Sequence, residues 1–138
     1  MKYVTLKRFK RNGIDGHFNI PYGTAVENRD GVLYHGEKRI CVARSAAAHE
    51  YFARDDDGRG LERGELSHAI IERLEPKKFR TREERNEFWE KTVWADETAK
   101  KYRKPEHQSY WLWNDDFYNA PIEDLKKIAV SVGVEKGR

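Results

Sequence analysis

Three groups of residues have the types and spacing that chemistry needs. They are an aspartate run at Asp55-Asp56-Asp57-Gly58, cations at Lys7, Arg8, Lys10 and Arg11 with Lys38 and Arg39 further on, and an aromatic run from Tyr110 to Tyr118. The aspartates suggest calcium first. With Gly58 as the sixth residue of an EF-hand loop, carboxylate ligands are needed at the first and twelfth positions. Those positions hold Ala53 and Gly64, so the loop lacks both end ligands. The run is expected to be a solvated turn that caps the next helix.

Other catalytic signatures fail in the same way. His49-Glu50 begins the helical zinc-protease pattern, but its second histidine would fall at Ala53. His17, His35, His68 and His107 stand singly. Gly58-Arg-Gly60 has neither the spacing nor the Lys-Ser/Thr of a phosphate loop, and Ser45, Ser67 and Ser109 lack a nucleophile elbow. Glu83-Glu84 and Asp115-Asp116 read as a helix start and a solvated loop, not as buried acid–base pairs. No catalytic residue, metal ligand or cofactor is assigned from the sequence.

The cations and aromatics point to binding. Lys7, Arg8, Lys10 and Arg11 precede the first turn, and Lys38 and Arg39 lie at a later one; brought together they would form a patch for phosphate backbones. Residues 1–44 hold nine Lys or Arg against four Asp or Glu, whereas residues 45–138 hold eighteen against twenty. The basic excess is therefore N-terminal. In the run 110–118, interleaved Trp and Tyr can stack on bases, anchor a protein partner or fill a core. Core filling is the favoured reading in a chain this poor in aliphatics. Tyr110 and Trp111 are the partner-binding candidates from the run, joined by Trp94, which lies off the stripe of its expected helix and should be exposed.

These residues have to be held by one ordinary domain of 138 residues, 38% hydrophobic and 37% charged. Seventeen aromatics argue against disorder. A single cysteine, Cys41, excludes an internal disulfide and reads as a small buried residue mid-strand. The N-terminus has no apolar signal region and no window approaches a membrane span, so a cytoplasmic setting is expected.

Alternation over Tyr3–Phe9 predicts a half-buried strand, broken at Asn12-Gly13 and Asp15-Gly16. A short extended segment follows from Phe18 to Gly23. From Thr24 to Arg44, β-prone runs separated by Asp30-Gly31 and Gly36-Glu37 predict a three-stranded meander with one apolar face. Ser45 should cap a helix with Tyr51 and Phe52 facing inward. A second helix carries Leu66, Ala69, Ile70 and Leu74 up to Pro76. The longest starts at the capping box Thr81-Arg-Glu-Glu84 and buries Phe88, Thr92, Ala95, Ala99 and Tyr102 before Pro105. The last runs from Pro121 to Gly133 over Ile122, Leu125, Ile128, Ala129 and Val132.

Several stretches resemble small uncharacterised proteins encoded by phages and prophages of Bacillus and Clostridium relatives. They are Tyr3-Val-Thr-Leu-Lys-Arg-Phe-Lys, Gly13-Ile-Asp-Gly, Phe18-Asn-Ile-Pro-Tyr-Gly-Thr, Ala53-Arg-Asp-Asp-Asp-Gly through Leu61-Glu-Arg-Gly, Tyr110-Trp-Leu-Trp-Asn and Ile122-Glu-Asp-Leu. The resemblance implies a viral origin and a host-cytoplasm setting, and names no catalytic residue.

The sequence thus predicts a single α+β domain over residues 1–138. Residues 1–45 form a small SH3-like β-barrel or bent antiparallel sheet, residues 46–134 about four packed α-helices, and residues 135–138 a loose tail. The expected function is non-enzymatic nucleic-acid binding through the basic sheet. The alternatives are a protein-interaction module or host-factor modulator using Trp94, Tyr110 and Trp111, and a small metal-dependent nuclease or hydrolase.

Overall fold

The computed structural model describes residues 1–104 and 113–134. The chain is α+β and divides into two compact units, Met1–Glu65 and Leu66 onward, each with its own apolar cluster.

The first unit is built on turns. Strands β1 (Lys2–Thr5), β4 (Ala25–Arg29), β5 (Val32–His35), β6 (Lys38–Val42) and β7 (Phe52–Arg54) form one antiparallel sheet in the order β6-β5-β4-β1-β7. Strands β2 (Phe9–Gly13) and β3 (Gly16–Ile20) form a separate hairpin. The β4–β5 turn has Asp30 at φ 52° and Gly31 at φ 87°, the two left-handed residues of a type I′ turn. In the β5–β6 turn only the first residue, Gly36, takes a positive φ, as a type II′ turn requires. The meander therefore stands where the sequence put it, with Val26, Leu33 and Ile40 on its buried face. Phe9, Phe18, Ile20, Tyr3 and Phe52 complete that core.

Three expectations for this unit are corrected. The strand foreseen over Tyr3–Phe9 stops at Thr5, and Tyr3, Val4 and Thr5 are all buried. A strand between two neighbours is covered on both faces here, because helix α2 (Gly60–Arg73) lays its first turns against Val4 and Leu6. Gly60 and Gly64 permit that approach: a Cβ on either would fall within 2.6 Å of those side chains. Gly13 is a strand residue, not a turn; a Cβ there would meet the Ile40 carbonyl oxygen at 2.5 Å. Phe52 leaves the Ser45-capped helix, α1 (Ala46–Tyr51), and pairs with Thr5 as strand β7.

The Asp55–Asp57 run does cap α2. Asp55 Oδ1 accepts from the Gly60 N–H at 2.7 Å and Asp57 Oδ1 from the Arg59 N–H at 3.0 Å. Asp57 also receives both terminal nitrogens of Arg63, a side chain with no exposed surface that donates to the Arg54 carbonyl as well. These hydrogen bonds hold the Asp57 carboxyl well below its ordinary pKa.

The second unit is helical and irregular. Leu66 and Ile70 are buried along α2 and Leu74 just after it, and a 3₁₀ turn at Pro76–Lys78 follows. The long helix expected from Thr81 is broken. Thr81 caps α3 (Arg82–Phe88), a π-helical turn takes Trp89–Val93, and Asp96 caps a four-residue α4 (Glu97–Lys100). The extra residue in the π turn rotates the residues after it by about 100° relative to an α-helical stripe. Val93 and Trp94 turn inward and Ala95 outward. A 3₁₀ turn at Asp115–Asn119 and α5 (Ile122–Ser131) complete the unit, α5 ending at Gly133 with φ 89° as its sequence indicates.

Candidate nucleic-acid interface

The β2–β3 hairpin places the first four cations. Residues directly opposite in an antiparallel pair share a face, and Phe9–Ile20 is a buried pair. The intervening pairs Lys10–Asn19 and Asn12–His17 therefore face outward and are exposed. Arg8 extends this row, its Nη1 donating to Asn19 Oδ1 at 2.6 Å. His17 Nδ1 lies 3.1 Å from Asn12 Oδ1. The outer face is thus a polar strip of Arg8, Lys10, Asn12, His17 and Asn19, without a carboxylate.

Arg11 shares the inner face with Phe9 but sits at its rim. Its guanidinium lies 5.9 Å from the Phe9 ring centre and 5.7 Å from that of Tyr51. Lys7 approaches Tyr51 to 4.7 Å and pairs with Glu50 at 2.8 Å. Tyr51 therefore carries two cations over its ring, a geometry that attracts positive charge.

The hairpin tip joins the other two cations to the row. The N–H groups of Ile14 and Asp15 donate to the carbonyls of Ile40 and Arg39 on β6. Asp15 grips Arg39 with both carboxylate oxygens, at 2.9 and 3.0 Å, and accepts the Arg39 backbone N–H at 2.8 Å. The Arg39 hydrogen bonds lower the Asp15 pKa, and the Asp15 carboxylate raises that of Arg39. Lys38 lies near enough to favour the Asp15 charge. Of the six sequence candidates, Lys7 and Arg39 are in ion pairs, while Arg8, Lys10, Arg11 and Lys38 are in none among the described residues. Sequence reasoning missed Glu50 and Asp15 as their partners, because these pairings span 43 and 24 residues. It also missed Tyr22, which is 63% exposed just beyond β3.

The partner-binding residues fare differently. Trp94 is 5% exposed, so the expectation of an exposed contact is overturned. The π turn directs its ring onto Trp89 and Trp113, with centroids 5.1 Å from each. Tyr110 and Trp111 lie outside the described residues. In the described part of their run, Trp113 and Phe117 are buried and stacked at 4.2 Å. Cys41 is half-buried, and burial raises its thiol pKa. Among the described residues no three His, Cys, Asp or Glu side chains are grouped as a metal ion would need, and no helix is long and apolar enough to cross a membrane.

The chain matches no known protein-family profile, no curated protein and no solved structure.

Proposed function

We propose that the first unit is a small barrel of the SH3-like kind that binds nucleic acid through the outer face of the β2–β3 hairpin. The fold reading is supported by the strand order β7-β1-β4-β5-β6 together with the hairpin tip bonded to β6. The binding reading rests on one observation. Arg8 and Lys10 stand on a strip without carboxylates, and the hairpin's one acid, Asp15, is taken up by Arg39. Phosphates meeting this strip find cations and amides and no fixed negative charge to repel them. The resemblance to phage-encoded proteins fits such a role in a host cytoplasm.

Contacts of this kind position a backbone without reading bases. Four cations outside ion pairs give a duplex salt slope of at most about −3.6 in log affinity against log salt, and non-specific dissociation constants of roughly 1–100 μM. Fluorescence anisotropy with single- and double-stranded oligonucleotides at low and moderate salt tests this. Lys10→Glu with Lys38→Glu is expected to abolish binding, whereas reversing Lys126 and Lys127 is expected to leave it intact. No binding at low salt, or binding indifferent to the Lys10 and Lys38 reversals, refutes the reading.

A further inference from the structure

Tyr22 is the only exposed aromatic side chain among the described residues. Its ring is in no aromatic or cation pair and its hydroxyl in no hydrogen bond among them. The two half-buried tyrosines of the first unit are occupied. Tyr51 carries Lys7 and Arg11, and the Arg29 guanidinium lies 4.6 Å from the centre of the Tyr34 ring. A single exposed tyrosine is ordinary on a protein surface. This one is set apart by its place and by how it is fixed.

Its place is the root of the β2–β3 hairpin. Thr5 donates its N–H to the Thr24 carbonyl and accepts the Gly23 N–H on its own carbonyl, both at 3.0 Å, and Phe9 faces Ile20. Leu6, Lys7 and Arg8 therefore run beside Pro21, Tyr22 and Gly23. Facing residues lie about 5.5 Å apart and one residue spans at most about 3.8 Å, which puts the Tyr22 and Arg8 Cα atoms within about 17 Å. A few nucleotides of strand cover that distance. Arg8 and Lys10 continue the line along the outer face of the hairpin, and Glu50, which α1 brings to Lys7, is held in that pair.

The corner is also rigid. Thr5 has no exposed surface, and its hydroxyl donates to the Pro21 carbonyl and accepts the Thr24 N–H, each at 2.7 Å. The Thr24 hydroxyl donates to the same Pro21 carbonyl at 2.7 Å. A ring on a fixed corner, with only two rotatable side-chain bonds, loses little freedom when a partner stacks on it. What stacks on a flat ring beside phosphate-binding cations is a nucleobase with a free face. In the body of a duplex the neighbouring bases cover both faces, so the ring selects an unpaired strand.

We propose that single-stranded nucleic acid is the ligand class of the hairpin, one base stacked on Tyr22 and the phosphates on Arg8 and Lys10. This rests on the reading of the hairpin as a nucleic-acid interface. Fluorescence anisotropy with the full chain tests it, using oligothymidylate, oligouridylate, an abasic strand and a duplex, each of about twelve nucleotides per strand. The tighter of the first two names the source, DNA or RNA. Oligothymidylate is expected to bind at least about fivefold more tightly than the abasic strand, which has the same charge and no bases. It should also outbind the duplex at moderate salt, where charge counts for less. Tyr22→Ala removes the advantage over the abasic strand and leaves the salt slope unchanged, because no phosphate contact is lost. Tyr22→Phe, which keeps the ring, retains the advantage. If the unaltered chain binds the abasic strand or the duplex as tightly, or Tyr22→Ala is silent, the single-strand assignment is overturned. Duplex binding that Lys10→Glu weakens would still uphold the hairpin reading in that case. No binding of any probe at low salt overturns both.

Discussion

The two units each bury a core of their own, but they fix their backbones by different means. In residues 1–65 the path of the chain is set locally: Asp30-Gly31 and Gly36 turn the meander, Ser45 starts a helix, and Asp55 and Asp57 start another. Each strand of the meander then contributes one central core residue, Val26, Leu33 or Ile40. Among the described residues from Leu66 to Val134, α3 and α4 are short, and the chain passes through a π turn and two 3₁₀ turns. What holds that path is the mutual fit of large rings, with Trp89, Trp94 and Trp113 within 5.5 Å of one another. Local chemistry specifies a backbone residue by residue. Packing specifies it only once the partners have met.

That contrast can be broken most severely at the indoles. Trp89→Ala and Trp94→Ala are each expected to cost about 3–5 kcal/mol, as truncations of large buried side chains. Urea denaturation measures both. A silent Trp94→Ala would return that residue to the surface and remove the π turn's rotation.

The next largest effect belongs to the first unit, at the Asp57–Arg63 pair. Breaking a buried pair costs about 3–5 kcal/mol; Asp57 is 40% exposed, which lowers the expectation for Asp57→Asn to roughly 2–3 kcal/mol. The sign with pH follows from the depressed folded pKa of Asp57. Its contribution is fully present above the unfolded aspartate value, about 3.9, and is lost as pH falls toward the lower folded value. The gap between the two proteins should therefore narrow below about pH 4. A gap independent of pH would show that the Asp57 carboxylate is not what holds Arg63.

The smallest effect tests the turn itself. Gly31→Val, at φ 87° with open space around a Cβ, is expected to cost about 1–3 kcal/mol through backbone strain without a clash. Gly31→Asn, which tolerates left-handed geometry, should recover most of it in thermal melts. If Val and Asn behave alike, the turn is not what sets the meander.

This division also governs what could be read from the sequence. The meander, the Ser45 and Thr81 caps and the whole of α5 were legible, because the residues that decide them lie within a few positions of one another. Strand β7 was not: Phe52–Arg54 follows an alanine-rich helix start, and only pairing with β1, almost fifty residues away, makes it extended. The burial of Trp94 was hidden for the same reason, since nothing in Trp89–Val93 itself announces a π turn. At the candidate interface the cations were legible from their types, while Asp15 and Glu50, which occupy two of them, emerged only from the folded chain.

The hydrogen bonds from the hairpin tip to β6 also bear on self-association. A five-stranded sheet has two outer strands whose unpaired backbone groups invite pairing with another copy. On one side that strand, β7, is only three residues long. On the other, Ile14 and Asp15 occupy the Ile40 and Arg39 carbonyls and shield β6. Asp15→Ala, which frees Arg39 and loosens the tip, should therefore show itself first as lost solubility at high protein concentration. The hairpin proposed to meet nucleic acid thus also covers part of the β6 edge.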